Sequence, residues 1–101
     1  MKRTGEHTRK RVAGAKMIAE TFKLLAQKHG MEITRCQWHR PLSVSDPFKL
    51  EVESNGTIVS GPFLDYWLAN YQDSKTNTKV NLVIHEMLTH LKSRNKNIQN
   101  N

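Results

Sequence analysis

At 101 residues, with 37% hydrophobic and 25% charged residues and a mean hydropathy of −0.67, the chain is long enough for one hydrophobic core and too short for two. Its net charge of +7 gathers at the ends: Lys2, Arg3, Arg9, Lys10, Arg11 and Lys16 face only Glu6, Lys92, Arg94 and Lys96 face no acid, and the middle is slightly acidic. No apolar run approaches the ~20 residues of a membrane span, Lys16 and Glu20 break any signal-peptide core, and the lone Cys36 excludes an internal disulfide, so the expectation is a cytoplasmic protein without membrane contact.

Residues 1–7 hold no apolar side chain after the initiator and read as a flexible basic arm. From Thr8, a candidate N-cap, Val12, Ala15, Ile18, Ala19, Phe22, Leu25 and Ala26 recur at three- and four-residue steps and predict an amphipathic helix. Gly30 is its expected stop, with Lys28 and His29 where cations complement the helix dipole. On the polar face Arg9, Lys16 and Lys23 follow at seven-residue steps, so they stack along one side about 10 Å apart, with Glu20 interleaved. Such a row fits a phosphate backbone, and it equally fits the solvated face of an ordinary helix.

Met31 to Trp38 is β-branched and aromatic enough for a strand, and its apolar parity switch between Ile33 and Cys36 calls for a bulge near Thr34 and Arg35. After a loop containing Pro41 and Pro47, DPFKLEVESNGTIVSGPF reads as a hairpin. Phe48, Leu50 and Val52 alternate with Lys49, Glu51 and Glu53, and Asn55-Gly56 suits a type I′ turn that sets Ser54 against Thr57, Val52 against Val59 and Leu50 against Gly61. Pro62 then reads as the first turn of a short helix, FLDYWLANY, capped by Ser60 or Gly61. The polar DSKTNTK connects to a last helix from Asn77 or Thr78 with Val80, Ile84, Met87, Leu88 and Leu91 at core spacing, and residues 95–101 read as a disordered polar tail.

The predicted class is α+β: a three-stranded antiparallel sheet in α-β-β-β-α-α order, covered on one face by helices, forming a single domain over residues 8–94 between disordered basic termini. The first five elements follow the order of a double-stranded-RNA-binding domain. The resemblance is one of element order, because the stretch after the third strand, GPFLDYW, carries Asp65 where that family places its phosphate-gripping lysines.

Catalytic and metal patterns are sparse. HEMLTH places His85 and His90 five residues apart, about 140° around a helix, so they do not form the two-histidine zinc face of H-E-x-x-H. Cys36 and His39 have zinc-ligand spacing as one pair without a second, and no local base or helix start activates Cys36 as a nucleophile. No cofactor, metal or enzymatic activity is expected.

Two function classes remain. The first is a small nucleic-acid-binding protein whose Lys2, Arg3, Arg9, Lys10, Arg11, Lys16 and Lys23 contact phosphates. The alternative is an adaptor or inhibitor that meets a protein partner through the hairpin edge or a Tyr66/Trp67 surface, with a homodimer by edge pairing as a variant. The aromatic cluster from Phe63 to Tyr71 is expected mainly in the core, since Asp65 and Asp73 flank it and repel phosphate.

Overall fold

The computed structural model describes the backbone of residues 2–43 and 45–99 and the side chains of residues 5–43 and 45–94. Its elements are α1 (Lys2–Lys28), β1 (Arg35–His39), β2 (Phe48–Ser54), β3 (Thr57–Phe63), α2 (Asp65–Ala69) and α3 (Ser74–Gln99). The strands form one antiparallel sheet in the order β1-β2-β3. This is the expected α-β-β-β-α-α arrangement.

The hairpin sets the register. Asn55 at φ 54° and Gly56 at φ 79° are both left-handed, as a type I′ turn requires. The pairs Ser54–Thr57, Glu53–Ile58, Val52–Val59 and Leu50–Gly61 follow as the turn dictates. Period-two geometry sends Leu50, Val52, Ser54, Thr57, Val59, Gly61 and Phe63 to the buried face. The opposite face presents Arg35, Gln37, Lys49, Glu53, Ile58, Ser60 and Pro62, most of them exposed. One face of the sheet is therefore dry and the other wet.

Two helices cover the dry face. α1 contributes Ile18, Phe22 and Ala26, and α3 contributes Val80, Ile84, Met87, Leu88 and Leu91, all buried in one core with the sheet residues. α1 stops in a Schellman motif: Gly30 at φ 76° donates its N–H to Gln27, Met31 donates to Ala26, and the Met31 side chain is buried. Trp38 on β1 ties the sheet to α1 by donating its indole N–H to the Ala15 carbonyl at 3.1 Å. Its ring meets Phe63 edge to face, with centroids 5.4 Å apart, and Trp67 repeats that geometry on Phe63 at 6.5 Å.

Several boundaries differ from the sequence reading. Helical backbone begins at Lys2 instead of Thr8, where an arm was expected through His7, and continues to Gln99, past residue 95 where a tail was expected. Neither the segment before Thr8 nor the one after Arg94 contains proline, so no residue in them is barred from helical backbone. β1 starts at Arg35, after Ile33, so the apolar parity switch reflects a strand that begins late, with regular pairing and no bulge between Arg35 and His39.

Pro62 lies in β3 opposite Lys49, and the α2 N-cap is Leu64, without a side-chain capping bond. By the alternation from the turn, Pro62 occupies a pair whose backbone N points away from β2 toward the open edge, so its missing N–H costs no sheet hydrogen bond. Phe63 is accordingly the last residue of the strand, where it was expected in the helix. α3 starts at Ser74 within the expected connection, because Asp73 accepts the Thr76 N–H at 3.2 Å as a side-chain N-cap.

α1 and α2 approach each other closely at Gly14. A Cβ built on Gly14 would sit 1.8 Å from the Leu68 carbonyl oxygen, so only glycine lets the two backbones meet at this point. This contact fixes α2 against α1 and, with it, the position of Asp65.

Candidate functional site

The basic face of α1 divides in two when its partners are examined. Arg9, Lys16 and Lys23 are exposed, and among the described residues none of them forms an ion pair. Helical geometry sets these three along one side over a length of about 21 Å. Glu20, also exposed, is the acid on this stretch of the helix.

Lys10 and Arg11 are engaged within the chain. Lys10 lies 4.0 Å from Glu6 one turn away, an exposed pair of small energetic consequence. Arg11 donates to Asp65 at 3.2 Å and places its guanidinium 5.2 Å from the centre of the Phe48 ring. Lys2 and Arg3 belong to the backbone of α1, and their side chains lie outside the described residues.

His7 joins Arg11 on the same carboxylate, 2.7 Å from Asp65. Burial opposes ionisation of Asp65, yet the hydrogen bonds and charges of His7 and Arg11 outweigh it and hold the carboxyl below its ordinary range. A depressed folded-state pKa stabilises the fold above the ordinary carboxylate value and loses that contribution as pH falls toward and through the folded value. The stability difference between the native chain and Asp65→Asn is therefore expected to be present above the ordinary carboxylate range and to shrink as pH falls below it. Urea unfolding across that range measures it, and a difference independent of pH would contradict the assignment.

On the wet face of the sheet, Glu51 accepts from Arg35 at 2.7 Å and lies 2.9 Å from His39. The Arg35 hydrogen bond leads in holding Glu51 below its usual range, with His39 adding to it against the opposing effect of burial. Charges here are balanced, with Arg35 and Lys49 against Glu51 and Glu53. This face offers a polyanion no net attraction.

The other candidates separate in space. Register places Cys36 opposite Val52 on the dry side and His39 opposite Lys49 on the wet side, so the two residues of CQWH cannot share a metal. Burial pushes the Cys36 thiol up, away from the reactive thiolate form. His85 and His90 are both exposed on α3, and no group of three metal-ligating side chains occurs among the described residues. No helix among the described residues is long and apolar enough to cross a membrane.

Of the two aromatics considered for a protein interface, Tyr66 is exposed while Trp67 is half-buried against Phe63. The β3 edge is obstructed at two points, by Pro62 and by Arg94, which donates to the Ile58 carbonyl at 3.2 Å.

Val12, expected in the core, is 61% exposed. It stands at a groove of about 380 Å³ between α1, β1 and β2, whose apolar floor is Ala15, Trp38, Phe48 and Leu68 and whose cations are Arg11, Lys16 and Arg40. Arg40 was missed by sequence reasoning. Its signal was present as a base two residues beyond Trp38, but only the fold shows that the end of β1 returns beside α1. Comparison with known proteins found no matching family model, no matching curated protein and no matching solved structure.

Proposed function

We propose that this chain is a small, cytoplasmic, non-enzymatic nucleic-acid-binding protein whose contact surface is the exposed face of α1. The observation that carries the reading is the row Arg9, Lys16 and Lys23, three exposed cations along one helix face with no ion pair to another described residue. A cation already held by a carboxylate gains less from a phosphate, because the existing pair must be broken first. This difference from Arg11 supports Arg9, Lys16 and Lys23 as the principal contacts, with Lys10 beside them. The charge-balanced wet face of the sheet plays no part.

The reading is tested by titrating fluorescently labelled DNA and RNA strands with the purified protein at low salt. Binding that weakens steeply as salt is raised is the expected result, because released counterions drive such association. Absence of binding at low salt would overturn it.

A protein partner remains the second reading, favoured by Leu64 at 45% exposure and Tyr66 at 63%, two residues apart at the start of α2. Co-purification of a stoichiometric protein that survives nuclease treatment would support it over the first.

A further inference from the structure

The groove beside Val12 differs from the phosphate row in having an apolar floor, and the two share Lys16. Its lining contains no acidic residue, although Asp65 lies just behind Arg11. A second hollow of about 280 Å³ continues it past Arg11, Arg40 and Phe48 to Leu42, which is fully exposed. Val12 and Leu42 are thus apolar residues left uncovered at the borders of a cationic cleft.

A partner complementary to this cleft combines a flat apolar face with a negative charge one bond system away. We infer that the groove receives an unpaired nucleotide of a single strand, the base lying against Trp38, Val12 and the Arg11 plane and its phosphate meeting Lys16 and Arg40. A groove of this volume falls in the range of about 300–1,000 Å³ typical of small-ligand clefts. The inference rests on the nucleic-acid reading above and adds a choice of strand state to it.

The fixed geometry favours stacking. Trp38 has its indole N–H committed to Ala15 and its ring braced by Phe63, so it is held in place before any ligand arrives. Arg11 is held by Asp65 and lies over the Phe48 ring, and a guanidinium offers a plane on which a base can stack. Its charge is already neutralised by Asp65. The phosphate is therefore left to Lys16 and Arg40, both exposed and without an ion pair among the described residues.

A duplex cannot use the floor of this groove, because its base faces are covered by their neighbours in the stack. The phosphate row of α1 would serve duplex and single strand alike. A preference for unpaired bases is consequently a property of the groove alone.

The chain contains two tryptophans, so Trp67→Phe leaves Trp38 as the sole indole reporter. In that background the protein is titrated at low salt with an oligodeoxythymidine of about 12 nucleotides, an abasic strand of the same length and a DNA duplex. The base-bearing strand is expected to quench Trp38 and to bind about tenfold more tightly than the abasic strand, the gain of one stacked base. Val12→Glu should remove or reduce that preference, whereas Arg40→Ala and, separately, Lys23→Gln should weaken both strands by the same factor. Circular dichroism confirms that the substituted helix is intact. Equal affinity for base-bearing and abasic strands, or a preference for duplex, would overturn the groove and leave the phosphate row standing. No binding to any of the three would remove both.

Discussion

Gly14→Ala is expected to lower the unfolding temperature by more than ~10 °C. In an ordinary helix interior this substitution stabilises by up to ~1 kcal/mol, because alanine loses less backbone freedom on folding. Here the new methyl would lie 1.8 Å from the Leu68 carbonyl oxygen, with the Leu68 carbonyl carbon at 2.8 Å, and both obstacles are backbone. Overpacking of this kind costs about 3 kcal/mol or more, since α2 must move as a unit away from α1. The cost exceeds the propensity gain, and for a domain of this size each kcal/mol corresponds to roughly 4–8 °C. Gly5→Ala in the same helix is the internal control. Nothing lies within 4 Å of its added methyl, so it is expected to leave stability unchanged or slightly raised. Calorimetry on the two variants checks the sign of both effects, and equal behaviour would mean that α1 and α2 do not meet at Gly14.

Replacing Arg9, Lys16 and Lys23 together by glutamine is expected to weaken nucleic-acid binding at least a hundredfold at ~50 mM salt, with each single replacement contributing roughly tenfold or less. The estimate follows from counterion release, in which each phosphate contact adds about 0.7–0.9 to the logarithmic salt slope. Since the three side chains are exposed and form no ion pair with other described residues, their loss should leave the unfolding temperature nearly unchanged. Arg11→Gln is expected to behave in the opposite way. It breaks the contacts to Asp65 and Phe48, so it should lower stability while weakening binding less than the loss of Lys16. Glu20→Gln, which removes the acid on this stretch of the helix, should tighten binding modestly.

How far the sequence speaks depends on the range of the interactions that set each feature. The hairpin register is local: Asn55-Gly56 demands one turn type, and that turn dictates every pair up to Phe48–Phe63. The buried residues of α3 were likewise legible, since a 3.6-residue period is a property of one segment. Pro62 misled because proline suits both a first helical turn and an outward-facing edge position, and only the strand alternation chooses between them. Asp73 was a readable N-cap hidden by a polar run that resembles a loop.

Other features lie beyond sequence reasoning. The meeting of Asp65 with His7 and Arg11 joins residues more than fifty positions apart. The role of Gly14 depends on a carbonyl of α2, and the exposure of Val12 depends on where β1 ends. For the candidate site, the spacing of Arg9, Lys16 and Lys23 was legible, but the commitment of Arg11 to Asp65 and the proximity of Arg40 to Lys16 were not. Periodicity identifies which side chains share a helix face. It cannot say which of them the rest of the chain has already engaged.

The proposed role of the exposed α1 cations Arg9, Lys16 and Lys23 is to hold phosphates. It is tested most directly by the dependence of the binding constant on salt concentration, measured for the native chain and for the variant lacking Arg9, Lys16 and Lys23. The logarithmic slope for a single strand is expected near −2 or steeper in the native chain and about two units shallower in the variant. A native chain that binds neither DNA nor RNA at low salt, or a slope the triple replacement leaves unchanged, would contradict it.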